Sequence, residues 1–291
     1  MSPPPERGSR AEHLDEVEVP PREKPRLGSR FRPVLVLVII EAAFLAAVYG
    51  LASRYAPPWV LTAMDCIALP GADAVLGVRI HARPPFSQSS PAGVELDFHG
   101  VDAEGGELEP KPLGSSAVGL DGVAHCAVRA PLRPGVFRYV ARVRNTGKFR
   151  FERDEEEILL QVVPADRPIL IVGIPQAISS DEASEAAATA RERLASLERR
   201  AAVAYLAARE RDSPRRLGAW LERLGLPSGA VLVGPIRKGR EHLGEVLPNF
   251  EVSKWKCVVF LRPPGSLRVS GLSVFSAQSW SEARKLIEEK G

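Results

Sequence analysis

Between Val34 and Ala52 the chain reads VLVLVIIEAAFLAAVYGLA, an apolar run interrupted once, by Glu41. About 20 such residues in a helix cover a hydrocarbon core of about 30 Å, so the run predicts a transmembrane helix over residues 34–54. Glu41 opposes insertion by about 2.5 to 3.5 kcal/mol at mid-membrane, whereas each neighbouring Val, Leu, Ile or Phe favours it by about 0.3 to 0.6 kcal/mol. This intramembrane polar group has two readings: a contact with a partner helix or proton site, or a neutral carboxyl near one leaflet. Arg22, Lys24, Arg26, Arg30 and Arg32 precede the run and Arg54 alone follows it closely. That asymmetry predicts a cytoplasmic N-terminus and C-terminal domains outside, periplasmic or extracellular. A cleaved signal peptide fits less well, because its apolar core is usually only about 7 to 15 residues. The lipid bilayer is therefore the first expected partner, through residues 34–54. Tyr55 and Trp59 are expected in the headgroup region beyond it.

Residues 1–33, with PPP and PPREKP among many charges, hold too few apolar groups to offset chain ordering and read as a disordered basic, Pro-rich tail. Across the whole chain 39 basic residues face 36 acidic ones, a net +3 that speaks against a nucleic-acid partner. A protein partner or self-association stays open. Cys66, Cys126 and Cys257 match no zinc or CxxC spacing, and pairing of Cys66 with Cys126 is undetermined. His81, His99 and His125 lack ligand-type spacing, so neither a metal nor a cofactor is expected.

From residue 71 to 163, short alternating runs (GVELDF, GVAHCAVRA, GVFRYVARV, EILLQVV) stand between Pro, Gly and Ser clusters. That pattern predicts an all-β sandwich. The phrase LRPGVFRYVARV resembles a late strand of bacterial immunoglobulin-like domains, although the Cys, Trp, Cys markers of antibody domains are missing.

From residue 166 to 291 the pattern alternates apolar runs with helix signals. ILIV is a buried-strand run, Ser179 and Glu182 read as a helix start, and AVAYLAA is a second strand. In SPRRLGAWLERLGLP, Ser213 stands at the cap, Pro214 at the first helical position and Gly225 at the stop. AVLVG, GREHLGEVL, KCVVFL, LSVF and SWSEARKLIEE complete an α/β parallel-sheet reading with helices on both faces.

RPILIVGIPQAIS followed by VAYLAARERDSPRRLGAWLERLGLPSGAVLVGP resembles the core of a haloacid-dehalogenase-type (HAD-like, Rossmannoid) phosphatase domain, in its lipin-related phosphatidate phosphatase branch. The resemblance implies a DxDxT loop after the first strand, with a nucleophile, an acid–base and a nearby magnesium ion. Gly173, Pro175 and Ala177 occupy those positions, and Ala207 stands where the family has Thr or Ser. Such a domain would be catalytically degenerate, a pseudoenzyme, with Arg209, Lys238 and Arg262 left as possible anion-binding residues. No GxxxxGK[ST], HExxH or GxSxG motif offers another chemistry. The expectation is a membrane-anchored multidomain chain: one transmembrane helix, an all-β sandwich, and a HAD-like domain that binds or assembles. The alternative is an active phosphatase or other hydrolase using a different site.

Overall fold

A computed structural model describes residues 37–47, 58–82, 91–102, 106, 108, 109, 111–146, 149–174, 178, 185–207, 213–233, 254–262 and 273–291. The chain divides into two units, Met1–Ala56 and Pro57–Gly291.

In the first unit, residues 37–47 form helix α1, with every described residue exposed. At 1.5 Å per residue its described part is about 16 Å long. No helix among the described residues is long and apolar enough to cross a membrane, which corrects the expected transmembrane helix. The flanking parts of the expected span, and the tail over residues 1–33, lie outside the described residues.

The second unit begins with strands β1 (Trp59–Met64), β2 (Cys66–Ala68), β3 (Asp73–Ala82), β4 (Glu95–Val101), β5 (Gly114–Ala117), β6 (Val123–Arg129), β7 (Gly135–Asn145) and β8 (Glu155–Val162). They make a β-sandwich of two sheets, ordered β1-β3-β6 and β2-β8-β7-β4-β5. Alternation sends Leu76 and Val78 of one sheet, and Leu96, Phe98, Ile158 and Leu160 of the other, into a shared core without exposure. Burial of each such side chain contributes about 1.5 to 3 kcal/mol. Trp59 belongs to this sandwich. It opens β1, and its ring meets Phe149 edge-on, with centroids 5.7 Å apart and planes at 86°. Cys66 and Cys126 are buried, unpaired thiols.

Strands β9 (Ile169–Ile174), β10 (Ala202–Ala207), β11 (Val231–Val233), β12 (Val258–Leu261) and β13 (Val274–Ala277) form one parallel sheet, ordered β11-β10-β9-β12-β13. Helices α2 (Glu185–Glu198), α3 (Pro214–Arg223) and α4 (Trp280–Lys290) accompany it. All three pack on one face: Leu194, Leu221 and Ile287 meet Leu170, Val172, Tyr205 and Val259. The opposite face, carrying Ile169, Ile171, Leu206 and Phe260, packs on Ile67 and Val163 from the sandwich and on Trp255. Both faces of the sheet are buried, and this is why its strands read as continuous apolar runs.

This arrangement corrects the expected fold class. Among the described residues the regular structure is mostly strand, the four helices are short, and the parallel sheet is not flanked by helices on both faces. The sandwich serves as its second layer, which is not the HAD-like architecture. Apolar runs alternating with helix signals announce buried strands, but nothing local to them says which neighbour covers each face.

Candidate functional site

The carboxyl ends of the parallel strands converge on one edge, where open α/β sheets bind ligands at the point where strand order reverses. Here the reversal lies between β9 and β12, which pair directly. Gly173 stands at the end of β9 and Arg262 follows β12. A Cβ built on Gly173 would collide with the Arg262 carbonyl oxygen, far inside van der Waals contact. Only glycine fits that approach.

Arg262 is the one described non-glycine residue with a positive φ, 46°. Its amide donates to the Ala277 carbonyl at 2.8 Å, and its Nε donates to the Gln278 carbonyl at 3.0 Å. These bonds hold an exposed guanidinium in a left-handed turn that ordinary side chains avoid. An anchored, permanently charged fork suits a carboxylate or phosphate.

Of the other expected positions that are described, Ala207 stands at the end of the neighbouring strand on the same edge. Ala207 ends β10, is 1% exposed, and pairs with Ile174 and Val233 inside the sheet. Pro175, Ala177, Arg209 and Lys238 lie outside the described residues. Glu41 is an exposed residue of α1, in the other unit. His81, His99 and His125 pair in register with Val60, Val140 and Gly77 on separate strand pairs. No group of three or more His, Cys, Asp or Glu among the described residues could hold a metal ion.

A second polar centre, which sequence reasoning missed, joins the sandwich to the parallel sheet. Asp65 is the single residue between β1 and β2, where the chain passes from one sandwich sheet to the other. Its Oδ1 accepts the Leu159 amide and its Oδ2 the Val231 amide, each at 2.9 Å. Gln161 does the same on the outer face of β8: Nε2 donates to the Val203 carbonyl at 2.9 Å and Oε1 accepts the Ala230 amide at 3.0 Å. Trp255 adds an indole N–H to the Val163 carbonyl at 3.1 Å. These side chains pair backbone groups that the abutting layers would otherwise bury unsatisfied.

Burial pushes the Asp65 carboxyl up to about 7, against the two amide bonds that hold it down, and the charges of Glu157 and Glu156 push further. Burial, then the Asp65 charge, pushes the Cys66 thiol up to about 12. Glu156 is 4% exposed, with Oε1 unpartnered, and burial raises its carboxyl despite Arg215 and Arg153 nearby. Beside Asp65 opens a cleft of about 430 Å³ lined in part by Arg138, Glu157, Tyr205 and Arg215. Arg138 and Glu157, on the adjacent strands β7 and β8, pair at 3.7 Å along its wall. A lone acid between the apolar runs WVLTAM and CIA was the available sequence signal for Asp65.

No family model matches the chain, and no curated protein matches it. Solved structures match parts of it. A chimeric titin Z1Z2 carrying an exogenous decorin peptide is similar over 38% of this chain and 95% of its own, at 20% identity and TM-score 0.24. A conjugative transposon lipoprotein from Bacteroides eggerthii matches over 35% and 96%, at 10% identity and TM-score 0.23. The superoxide reductase (neelaredoxin) of Ignicoccus hospitalis matches over 38% and 86%, at 11% identity and TM-score 0.25.

Proposed function

We propose that this chain is a non-catalytic binding or assembly protein that associates with a membrane and recognises an anionic group at the carboxyl edge of its parallel sheet. The observation that carries the reading is the contact between Gly173 and Arg262. The strand end where an α/β protein would present a reacting side chain is filled by a glycine that the backbone packing requires. The residue it packs against turns a cation outward at the strand-order reversal. Attraction without a reacting group is what this pair supplies.

Membrane association draws support from α1. Leu37, Val38, Ile39, Ile40, Phe44 and Leu45 are each more than half exposed, and the sequence before them is basic. An apolar helix beside a basic segment attracts an anionic lipid surface by both burial and charge.

The test uses the full chain in mild detergent. Hydrolysis of p-nitrophenyl phosphate and of phosphatidate is measured with and without magnesium, and inorganic phosphate binding is compared between wild type and Arg262→Gln. The expected results are no turnover above a heat-killed control, and phosphate binding that weakens in the variant. Magnesium-dependent turnover by the folded protein would overturn the non-catalytic reading. Phosphate binding that Arg262→Gln leaves unchanged would remove the anion from this edge.

A further inference from the structure

A groove of about 450 Å³ runs between α2 and α4 on the helix-covered face of the parallel sheet. Leu197 of α2 and Trp280 of α4 supply its apolar lining, and Trp280 is only partly buried against the core below. Its rim is basic. Arg193 stands on the α2 wall, and Arg284 and Lys285 stand on the α4 wall.

The acids present do not balance these cations. Glu288 is shared by two guanidinium groups, Arg284 at 2.9 Å and Arg200, so one positive charge is left over. Lys285 pairs at 3.7 Å with Glu289. Arg193 has no acid one turn away on its own helix, where Thr189, Ala190, Ser196 and Leu197 stand, and no ion pair with a described residue. The net result is one positive charge at Arg193 on the α2 wall and a second shared by Arg284 and Arg200 around Glu288, beside an aromatic floor.

We infer that this groove docks an acidic segment of a partner protein, with carboxylates on Arg193 and on the Arg284 side and an apolar residue against Trp280. Two cationic walls separated by a groove match charges spread along a peptide better than the single point of a phosphate. Peptide recognition by an aromatic floor with charged rims follows the usual division between affinity and steering. The chain's overall balance of only +3 argues against a nucleic acid as the occupant. The inference is independent of the carboxyl edge, since none of its residues includes Arg262.

The experiment follows anisotropy of a short labelled peptide of alternating Glu and Leu on titration with the full chain, beside its Gln-for-Glu counterpart. Saturable binding of the acidic peptide alone is expected, weakening as salt rises. Arg193→Glu should lower affinity at least about tenfold, while Arg216→Glu, the same reversal on α3, leaves it within about twofold. Should Arg193→Glu fail to fold by circular dichroism, Thr189→Glu places the opposing charge on the same wall and should act likewise. Equal losses from the α2 and α3 reversals, or equal binding of the Gln peptide, would overturn the inference. So would loss of binding in Arg262→Gln with retention in Arg193→Glu, which would move the acidic ligand to the strand edge.

Discussion

Replacing Asp65 by Asn separates its two roles, because Asn keeps the shape and one acceptor oxygen while removing the ionisable proton. In the folded chain the Asp65 carboxyl is raised from 3.8 to about 7. The folded state therefore holds that proton more tightly than the unfolded state does. Between about pH 4 and pH 7 the native protein binds more protons than the unfolded one, so stability falls as pH rises. Below that window both states are protonated, and above it both are ionised. Each pH unit separating the folded from the unfolded value corresponds to about 1.36 kcal/mol, so the loss across the window is about 4 kcal/mol. The amide variant cannot titrate, but its NH2 group would face either the Leu159 or the Val231 amide, leaving one buried donor unpaired at a cost of about 1 to 3 kcal/mol. Urea denaturation of the full chain from pH 4 to pH 8, followed by tryptophan fluorescence, reads both effects. The difference between wild type and Asp65→Asn should favour wild type at pH 4 and swing toward the variant by about 4 kcal/mol by pH 8. A difference that stays constant across this range would refute a buried, proton-holding Asp65.

Gln161→Leu removes the partners of the Val203 carbonyl and the Ala230 amide and should destabilise by about 2 to 5 kcal/mol in the same denaturation assay; a change below about 1 kcal/mol would mean that water reaches this junction. Gly173→Ala must displace the Arg262 backbone, whose carbonyl oxygen occupies the space of the new Cβ, and should lower stability by about 1 to 3 kcal/mol or more on thermal unfolding; full tolerance would show that β9 and β12 do not approach so closely. The Cys66 thiol, pushed to about 12 and buried, should resist a disulfide-exchange reagent at pH 8 until the chain unfolds; labelling at the rate of an exposed cysteine, mapped to Cys66 by peptide analysis, would contradict its place between the sheets.

Much of the element order can be read along the chain, because the forces that set it are local. The run GVELDF contains the start of β4, GVFRYVARV falls within β7, and EILLQVV overlaps β8; each alternates with period two, between core and solvent in β4 and β7 and between core and the parallel-sheet junction at Gln161 in β8. Pro214 at the first position of α3, Gly225 at φ 66° after it, and Ser279 accepting the Glu282 amide at the start of α4 are cap signals complete within a few residues. Arg262 is legible as a basic residue after a buried strand, but its left-handed turn is not, since that turn depends on the Gln278 and Ala277 carbonyls of the neighbouring strand end.

Other features depend on distant partners. Trp59 and Tyr55 suit a membrane interface as a pair, yet Trp59 packs on Phe149, which is far along the chain. Gly173 resembles a nucleophile position from which the acid has been lost, whereas its packing against Arg262 is what demands glycine. Asp65 and Gln161 carry no motif at all, because their partners at Val231, Val203 and Ala230 are brought to them only by folding. Sequence by itself determined where strands, caps and apolar faces lie, since periodicity and capping act over one or two turns. Only the tertiary structure decided that the sandwich would cover one face of the parallel sheet while α2, α3 and α4 covered the other. An apolar face has no built-in choice of partner, and its covering is settled by whichever surface buries it while also satisfying the polar groups at the seam.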